Sequence, residues 1–218
     1  MNASRSSVCA LVSGGLDSCV MLAGLAERHT AVHPLYIRHG LRWENAELRH
    51  LLRFLAAARL ARVRPLAVLR LPVRDLYGVH WSLGGRNIPG TKSEDAAVHL
   101  PGRNLLLLAK AAVFCSQNRI GVIAIGSLRH NPFTDATPVF FRHIAAAASE
   151  ALGTRLRVVA PLRGLTKGQV YRRGQRLGLP LGLTFSCLAP RRGKPCGHCN
   201  KCAERQRAFA LQPRPVLV

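Results

Sequence analysis

Residues 9–21 read CALVSGGLDSCVM. An apolar run ends in Ser-Gly-Gly-Leu-Asp-Ser, and a helix-like apolar pattern follows. Two adjacent glycines at the end of a buried strand cost conformational entropy. A purely structural turn is made as well by Asn-Gly or Pro-Gly, so this turn predicts a close approach to its backbone. A strand, a glycine-rich turn and a helix start together form an anion site. Its N–H groups point outward, and the helix dipole adds about half a positive charge. Gly14 and Gly15 let phosphate oxygens near the backbone, while Ser13 and Ser18 offer hydroxyl donors. Asp17 beside a phosphate fits a helix-start role or a shared magnesium ion. The Walker pattern is absent because no Lys follows, and the three-glycine dinucleotide fingerprint is absent too. The candidate nucleotide segment is Leu11, Val12, Ser13, Gly14, Gly15, Leu16, Asp17, Ser18, Cys19, Val20 and Met21.

Outward from this turn, apolar runs alternate with helical periodicity. Strands are expected at Val8–Val12, Ala31–Ile37, Leu66–Leu71, Gly121–Gly126 and Leu156–Ala160. Helices are expected at Asp17–Glu27, Glu44–Leu60, Leu105–Gln117, Thr137–Leu152 and Thr166–Leu177. The alternation predicts an α/β fold, a parallel five-stranded sheet with helices on both faces. Residues 72–100 are rich in Gly, Pro and polar side chains. A loop of that length is usually functional, and a lid over the nucleotide is expected, with Glu94 and Asp95 contacting magnesium or substrate.

The chain of 218 residues is 48% hydrophobic, enough for a sizeable core. No apolar run approaches the ~20 residues of a membrane span. The N-terminal run leads straight into the glycine turn, so it reads as a first strand and not a signal peptide. A soluble, cytoplasmic protein is the expectation. The formal charge is +22, from 32 basic and 10 acidic residues. Such a charge suits an anionic partner, nucleic acid included. The basic residues are 27 Arg against 5 Lys and are dispersed, so a GC-rich genome accounts for the same bias. The few carboxylates are each more apt than usual to carry a role.

Seven Cys occur. Cys9, Cys19 and Cys115 lie in apolar stretches and read as small core residues. Cys187, Cys196, Cys199 and Cys202 crowd into TFSCLAPRRGKPCGHCNKCAERQRAF, residues 184–209. Four thiolates at this spacing suit a closed tetrahedral zinc site, with an iron–sulfur cluster as the alternative. His198 lies between two of them as a bystander. The organisation expected is an ATP-binding domain over 1–182 and a small zinc-binding segment over 183–218.

The motifs together resemble a known family. SGGLDS looks like the pyrophosphate loop of the PP-loop ATP pyrophosphatases, which have the adenine nucleotide alpha hydrolase-like (HUP) fold. LPGRN (100–104), PLRGLTKGQVYRRGQRLGLP (161–180) and the Cys-rich tail resemble the 7-cyano-7-deazaguanine synthase family of the queuosine and archaeosine pathways over nearly the full length. The resemblance implies adenylation of the carboxylate of 7-carboxy-7-deazaguanine by ATP with magnesium, then attack of ammonia and dehydration to the nitrile. It implies that the four Cys bind zinc and that a homodimer forms. By the same resemblance, Ser13–Ser18 hold phosphates, and Arg103 stabilises charge on ATP or the acyl-adenylate. Asn104 hydrogen-bonds nucleotide or base. Lys167 is a second phosphate contact, with a solvated surface charge as its alternative.

Two segments depart from the family pattern. GSLRHNPFTDATPVFF (126–141) is shorter and lacks the family's Tyr-Pro-Asp-Cys-Arg, leaving Asp135 as the aligned acid. HGLRW (39–43) places Leu41 and Trp43 where the family has Gln and His, with Arg42 retained. Arg42, Trp43, Asp135 and Thr184 are therefore candidate substrate contacts. These departures keep two alternatives open. One is a paralogue that passes the acyl group to an amine on a protein or nucleic acid. The other is a tRNA-modifying member of the superfamily.

Overall fold

A computed structural model describes residues 7–210; residues 1–6 and 211–218, the outer ends of the two expected segments, lie outside the described residues. Five parallel strands run in the order β3-β2-β1-β4-β5: β1 (Val8–Leu11), β2 (Val32–Arg38), β3 (Ala67–Arg70), β4 (Val122–Ala124) and β5 (Arg157–Val159). The strands are short because only their central residues pair. Each expected strand is present, one or two residues narrower or shifted.

Side chains alternate along β1, so its two faces belong to two cores. Val8 and Ala10 join α1 (Leu16–Ala26), α2 (Glu44–Ala58) and α7 (Lys167–Arg176) on one face. Cys9 and Leu11 join α5 (Arg103–Gln117) and α6 (Pro138–Leu152) on the other. Burial on both faces explains why β1 reads as an unbroken apolar run. Cys9, Cys19 and Cys115 are fully buried, as expected for core residues.

The chain winds β1-β2-β3 to one side and then returns to place β4 on the other side of β1. The order therefore reverses between β1 and β4, and a crevice opens there at the carboxyl ends of the strands. The glycine turn follows β1, and Gly126 follows β4. Both flank that crevice.

Local signals set the helices around it. Thr166 and Gln169 form a reciprocal capping box at the start of α7. Thr137 accepts from the Phe140 N–H, Pro138 occupies the first turn of α6, and Gly153 ends that helix at φ +58. Gly174 lets α7 lie against α1, because a Cβ there would meet Val20 at 2.9 Å and Leu181 at 2.7 Å.

Residues 72–100 are not a bare loop. They carry α3 (Arg74–Tyr77), α4 (Trp81–Gly84) and a 3-10 turn at Asp95–Val98. Their hydrophobic side chains hold them down: Trp81 stacks on Trp43 at 5.8 Å, and the Tyr77 hydroxyl donates to the Pro101 carbonyl at 2.8 Å. Glu94 and Asp95 are exposed. The Cys-rich segment ends in α8 (Asn200–Ala210), which packs on α7 through Tyr171 and Phe209 at 4.5 Å. Arg205 lies over the Phe209 ring at 4.2 Å.

Candidate active site

The glycine turn is built for an anion. Gly14 has φ +75, and a Cβ there would press at 3.1 Å on both the Glu47 carbonyl and the Leu51 Cβ. Its own carbonyl accepts from the Phe185 N–H at 2.8 Å. The loop is thus clamped between α2 and the Cys-rich segment. Gly15 caps α1 without a side-chain hydrogen bond, so the first amides of that helix have no side-chain acceptor. Ser18 Oγ donates to the Gly15 carbonyl at 3.1 Å and accepts from the Ser13 N–H at 3.2 Å. These bonds hold the loop in the shape of a cradle. A Cβ on Gly126 would sit 3.5 Å from the Ser18 amide nitrogen, so the second glycine keeps the cradle open from the β4 side.

A cavity of about 310 Å³ begins at this cradle. Leu11, Val12, Ser13, Gly15, Leu16, Asp17 and Ser18 line it. Gly14 stands behind the loop, and Cys19, Val20 and Met21 are buried in the core. Arg103, Asn104, Trp43, Asp135 and Lys167 also line the cavity. Arg42 and Thr184 do not. Arg42 is exposed and donates to the Gly85 carbonyl at 3.2 Å. Thr184 is buried, donates to the Leu181 carbonyl at 2.7 Å and accepts from Arg205 at 2.5 Å.

Lys167 is no solvated surface charge. Its Nζ lies 2.6 Å from Asp17 Oδ2 and 2.9 Å from Glu204 Oε1, and Glu204 also binds Lys201 at 2.7 Å. Burial opposes the Lys167 charge, but Asp17 and Glu204 together hold the ammonium protonated well above the usual range. Burial likewise opposes the Glu204 charge, and Lys167 and Lys201 nevertheless hold its acid down to about 2. Asp17 Oδ1 is buried without a hydrogen-bond partner. An orphaned carboxylate oxygen at the mouth of a phosphate cradle fits magnesium, which binds through one or two carboxylates plus phosphate oxygens and water.

Arg103 opens α5. It makes no ion pair within 4 Å among the described residues, and its Nε is buried without a partner. Such a guanidinium is free for a planar oxyanion. Asn104 and Asp135, both expected near ligand, bind each other. The Asn104 N–H donates to Asp135 Oδ2 at 2.9 Å, and Asn104 Nδ2 donates to Asp135 Oδ1 at 3.1 Å. Asp135 thereby satisfies an N–H of the first turn of α5 and fixes the helix that carries Arg103.

Several cavity residues escaped sequence reasoning. Tyr36 and Glu47 face the cavity from β2 and α2, joined by a 2.7 Å hydrogen bond from the Tyr36 hydroxyl to Glu47 Oε2. Phe185, Ser186 and Lys201 enter from the Cys-rich segment. The scarcity of acids was the available signal for Glu47 and Glu204, two of ten carboxylates in the chain. The neighbouring Glu44 is structural: its carboxylate binds Arg38 at 3.4 Å and accepts from the Gly40 N–H at 3.0 Å and from the His39 N–H.

The four clustered Cys converge, with all Sγ atoms within 4.8 Å of one another. Cys196 and Cys202 Sγ lie 3.9 Å apart. Four sulfurs at ~2.3 Å around a tetrahedral zinc would be about 3.8 Å apart. An iron–sulfur cluster, with thiolates on different irons, needs them further apart. Backbone N–H groups point at the sulfurs: Cys196 and Ala189 donate to Cys187 Sγ at 3.2 and 3.4 Å, and Leu188 donates to Cys199 Sγ at 3.4 Å. These donors suit thiolates, so the residues fit a single tetrahedral ion such as zinc. His198 turns away and donates from Nδ1 to the Cys196 carbonyl at 2.8 Å. Cys187 and Leu188 also line this cavity, so the four-cysteine group forms part of one of its walls.

Comparison with known proteins places these features in context. Residues 7–212 match the family model described as Queuosine biosynthesis protein QueC. A protein of Stenotrophomonas maltophilia named 7-cyano-7-deazaguanine synthase is 32% identical over 235 residues, covering 95% of this chain and 96% of that protein. A Xanthomonas campestris protein of the same name is 32% identical over 226 residues, covering 92% and 91%. Among solved structures, a 4-thiouridine synthetase in complex with RNA and bound ATP has a TM-score of 0.51 at 16% identity, over 94% of this chain and 50% of that one. NMN synthetase from Francisella tularensis has a TM-score of 0.50 at 13% identity, over 89% and 71%. These two likenesses concern the fold alone, a parallel α/β sheet flanked by helices.

Proposed function

The chain belongs to the family of queuosine biosynthesis protein QueC, and on that premise we propose that it makes 7-cyano-7-deazaguanine from 7-carboxy-7-deazaguanine, ammonia and ATP. The observation that carries this reading is a single cavity where the anion cradle, the unpaired Arg103 and the Trp43–Trp81 stack meet. A polyphosphate, a carboxylate and a flat heteroaromatic ring each have a complementary wall there. Residues 1–182 are the nucleotide-binding part in this reading. Residues from 183 onward supply the metal centre and close the cavity with Phe185–Leu188.

Ser13, Ser18 and the first amides of α1 hold the phosphates of ATP. Asp17 Oδ1 is the protein oxygen offered to magnesium, which supplies neutralisation of phosphate charge when bound. Lys167, held by two acids, adds a fixed positive charge at the same end. The substrate carboxylate attacks the α-phosphorus, and the bond to the pyrophosphate oxygen breaks. Arg103 stabilises the negative charge of the carboxylate and of the acyl-adenylate. Ammonia then attacks the acyl carbon, AMP leaves, and an amide remains. A second ATP activates the amide oxygen. Loss of AMP and of the remaining N–H protons leaves the nitrile. Cys187, Cys196, Cys199 and Cys202 would hold zinc in a closed, structural role, with no open position for chemistry.

The test is incubation with ATP, magnesium and 7-carboxy-7-deazaguanine, with and without ammonium, following the base by mass spectrometry. Ammonium-dependent nitrile is the expected result. Adenylate or amide without nitrile would redirect the search to an acceptor amine on a protein or nucleic acid. Absence of any conversion would overturn the substrate assignment.

A further inference from the structure

Four carboxylates line the cavity at the glycine turn: Asp17, Glu44, Glu47 and Asp135. Three are engaged. Asp17 is paired with Lys167, Glu44 holds the Arg38–Gly40 turn, and Asp135 holds Asn104. Glu47 accepts one hydrogen bond, from Tyr36 to Oε2, and Oε1 has no partner among the described residues. Arg103 lies close enough to bias Glu47 electrostatically, yet the two form no ion pair within 4 Å. Both line the same cavity. If Arg103 holds the reacting carboxylate, Glu47 is a carboxylate without a cation partner among the described residues that lines the space where the nitrogen attacks.

We infer that Glu47 is the proton acceptor for the nitrogen nucleophile, through its free Oε1. The inference rests on the proposed synthase reading. Its chemistry balances. Ammonium gives one proton to the Glu47 carboxylate and becomes the neutral nucleophile. Glu47 sheds that proton to water. The nitrogen lone pair forms the C–N bond, and the acyl C–O bond breaks with its electrons leaving on AMP. The now cationic nitrogen gives its surplus proton to the regenerated carboxylate, leaving a neutral amide. In the second activation the amide nitrogen loses both remaining protons, one as the oxygen is adenylated and one as the C–O bond to AMP breaks and the C≡N bond forms, each passing through the carboxylate to water. No oxidant or reductant is needed.

The surroundings tune this acid. Burial raises it to about 7, while Arg103 and the Tyr36 hydroxyl pull it down and Glu44 pushes it up. From α1, the Cys19 thiol also lies within electrostatic reach, and burial keeps that thiol protonated. A carboxylate poised near neutrality is suited to accept and return protons at working pH. Tyr36 itself stays protonated, because burial foremost, then Glu47, raises its hydroxyl far above the usual range. It therefore fixes the carboxylate by donation.

The experiment compares wild type with Glu47→Gln in two assays. Pyrophosphate exchange into ATP, dependent on 7-carboxy-7-deazaguanine, reports adenylation, which needs no proton from nitrogen. Nitrile formation from ammonium reports the whole sequence. Glu47→Gln keeps an acceptor for Tyr36, so exchange is expected to persist. Nitrile formation is expected to fall by about 10²–10⁴-fold, and the acid limb of its pH profile near 7 to vanish. Hydroxylamine, which is unprotonated at neutral pH, is expected to restore the first acyl transfer as a hydroxamate. Tyr36→Phe provides a second reading without touching the carboxylate. Removing the donor disfavours the ionised form, so the acid limb should move to higher pH. An unchanged nitrile rate and pH profile in Glu47→Gln would overturn the role of Glu47. Equal losses of exchange and nitrile would overturn it too, since Glu47 would then serve binding or folding. Absence of exchange in wild type would instead overturn the substrate assignment.

Discussion

Replacing Lys167 by Met removes the cation between Asp17 and Glu204 and leaves two carboxylates facing each other. Their side chains are only 22% and 20% exposed, so water screens them poorly. Breaking a buried pair from one side costs roughly 3–5 kcal/mol. The drop of the Glu204 acid from 4.5 to about 2 corresponds to about 3 kcal/mol of native-state stabilisation, of which Lys167 carries only a part because Lys201 shares it. Because the folded-state acid is depressed, that stabilisation is present above pH 4.5 and is lost as pH falls toward 2. The raised Lys167 ammonium contributes fully at all pH below its unfolded value near 10.5. The cost of Lys167→Met is therefore greatest at neutral pH and shrinks below pH 4.5. Urea denaturation at pH 7 should show a midpoint lowered by about 1–2 M, taking a slope of ~2–3 kcal/mol/M. Adding Asp17→Asn to Lys167→Met should recover part of the loss, since Asp17 has no other cation within 4 Å among the described residues and its orphaned charge is then gone, whereas Glu204 keeps Lys201. A cost below about 1 kcal/mol, as measured for exposed pairs, would refute the claim that Lys167 is a buried keystone of the site. So would a double variant no more stable than the single one.

Other outcomes follow from the same geometry. Ser13→Ala should abolish carboxylate-dependent pyrophosphate exchange while moving the urea midpoint little, because Ser13 Oγ makes only long bonds of 3.3 and 3.4 Å within the loop. Arg103→Ala should lower the rate of adenylation by about 10²–10³-fold with little effect on stability, since Arg103 makes no ion pair; exchange kinetics and thermal melting together check both halves. Wild type is expected to carry about one zinc by elemental analysis; Cys199→Ser should lose it and increase amide exchange in residues 185–188, whereas His198→Ala should match wild type.

Much of the fold was legible because its signals are local. Parallel strands buried on both faces must be apolar throughout, and the long helices carry their own periodicity, with side-chain caps at α6 and α7. The glycine turn was readable for the same reason, since Gly14 needs a positive φ that the chain reports directly. The Cys spacing was equally plain: four thiolates close in sequence can reach one ion without long-range folding. Residues 72–100 were harder, because their helices α3 and α4 are too short to show periodicity and form by docking Tyr77 and Trp81.

The site separates more sharply. Sequence by itself marked the candidate phosphate cradle and the four-cysteine group, because each is one contiguous segment. Tertiary structure alone decided the partners. Lys167 lies 150 residues from Asp17, and only the packing of α7 on α1 brings them together. Arg42 and Thr184 sat in suggestive motifs, yet backbone direction turns one outward and the other into the core. Glu47 carried no motif at all. It gains its chemistry from burial, from Tyr36 on a neighbouring strand and from Arg103 across the sheet, because a carboxyl's acidity is set by the surroundings that folding assembles rather than by its neighbours in the chain.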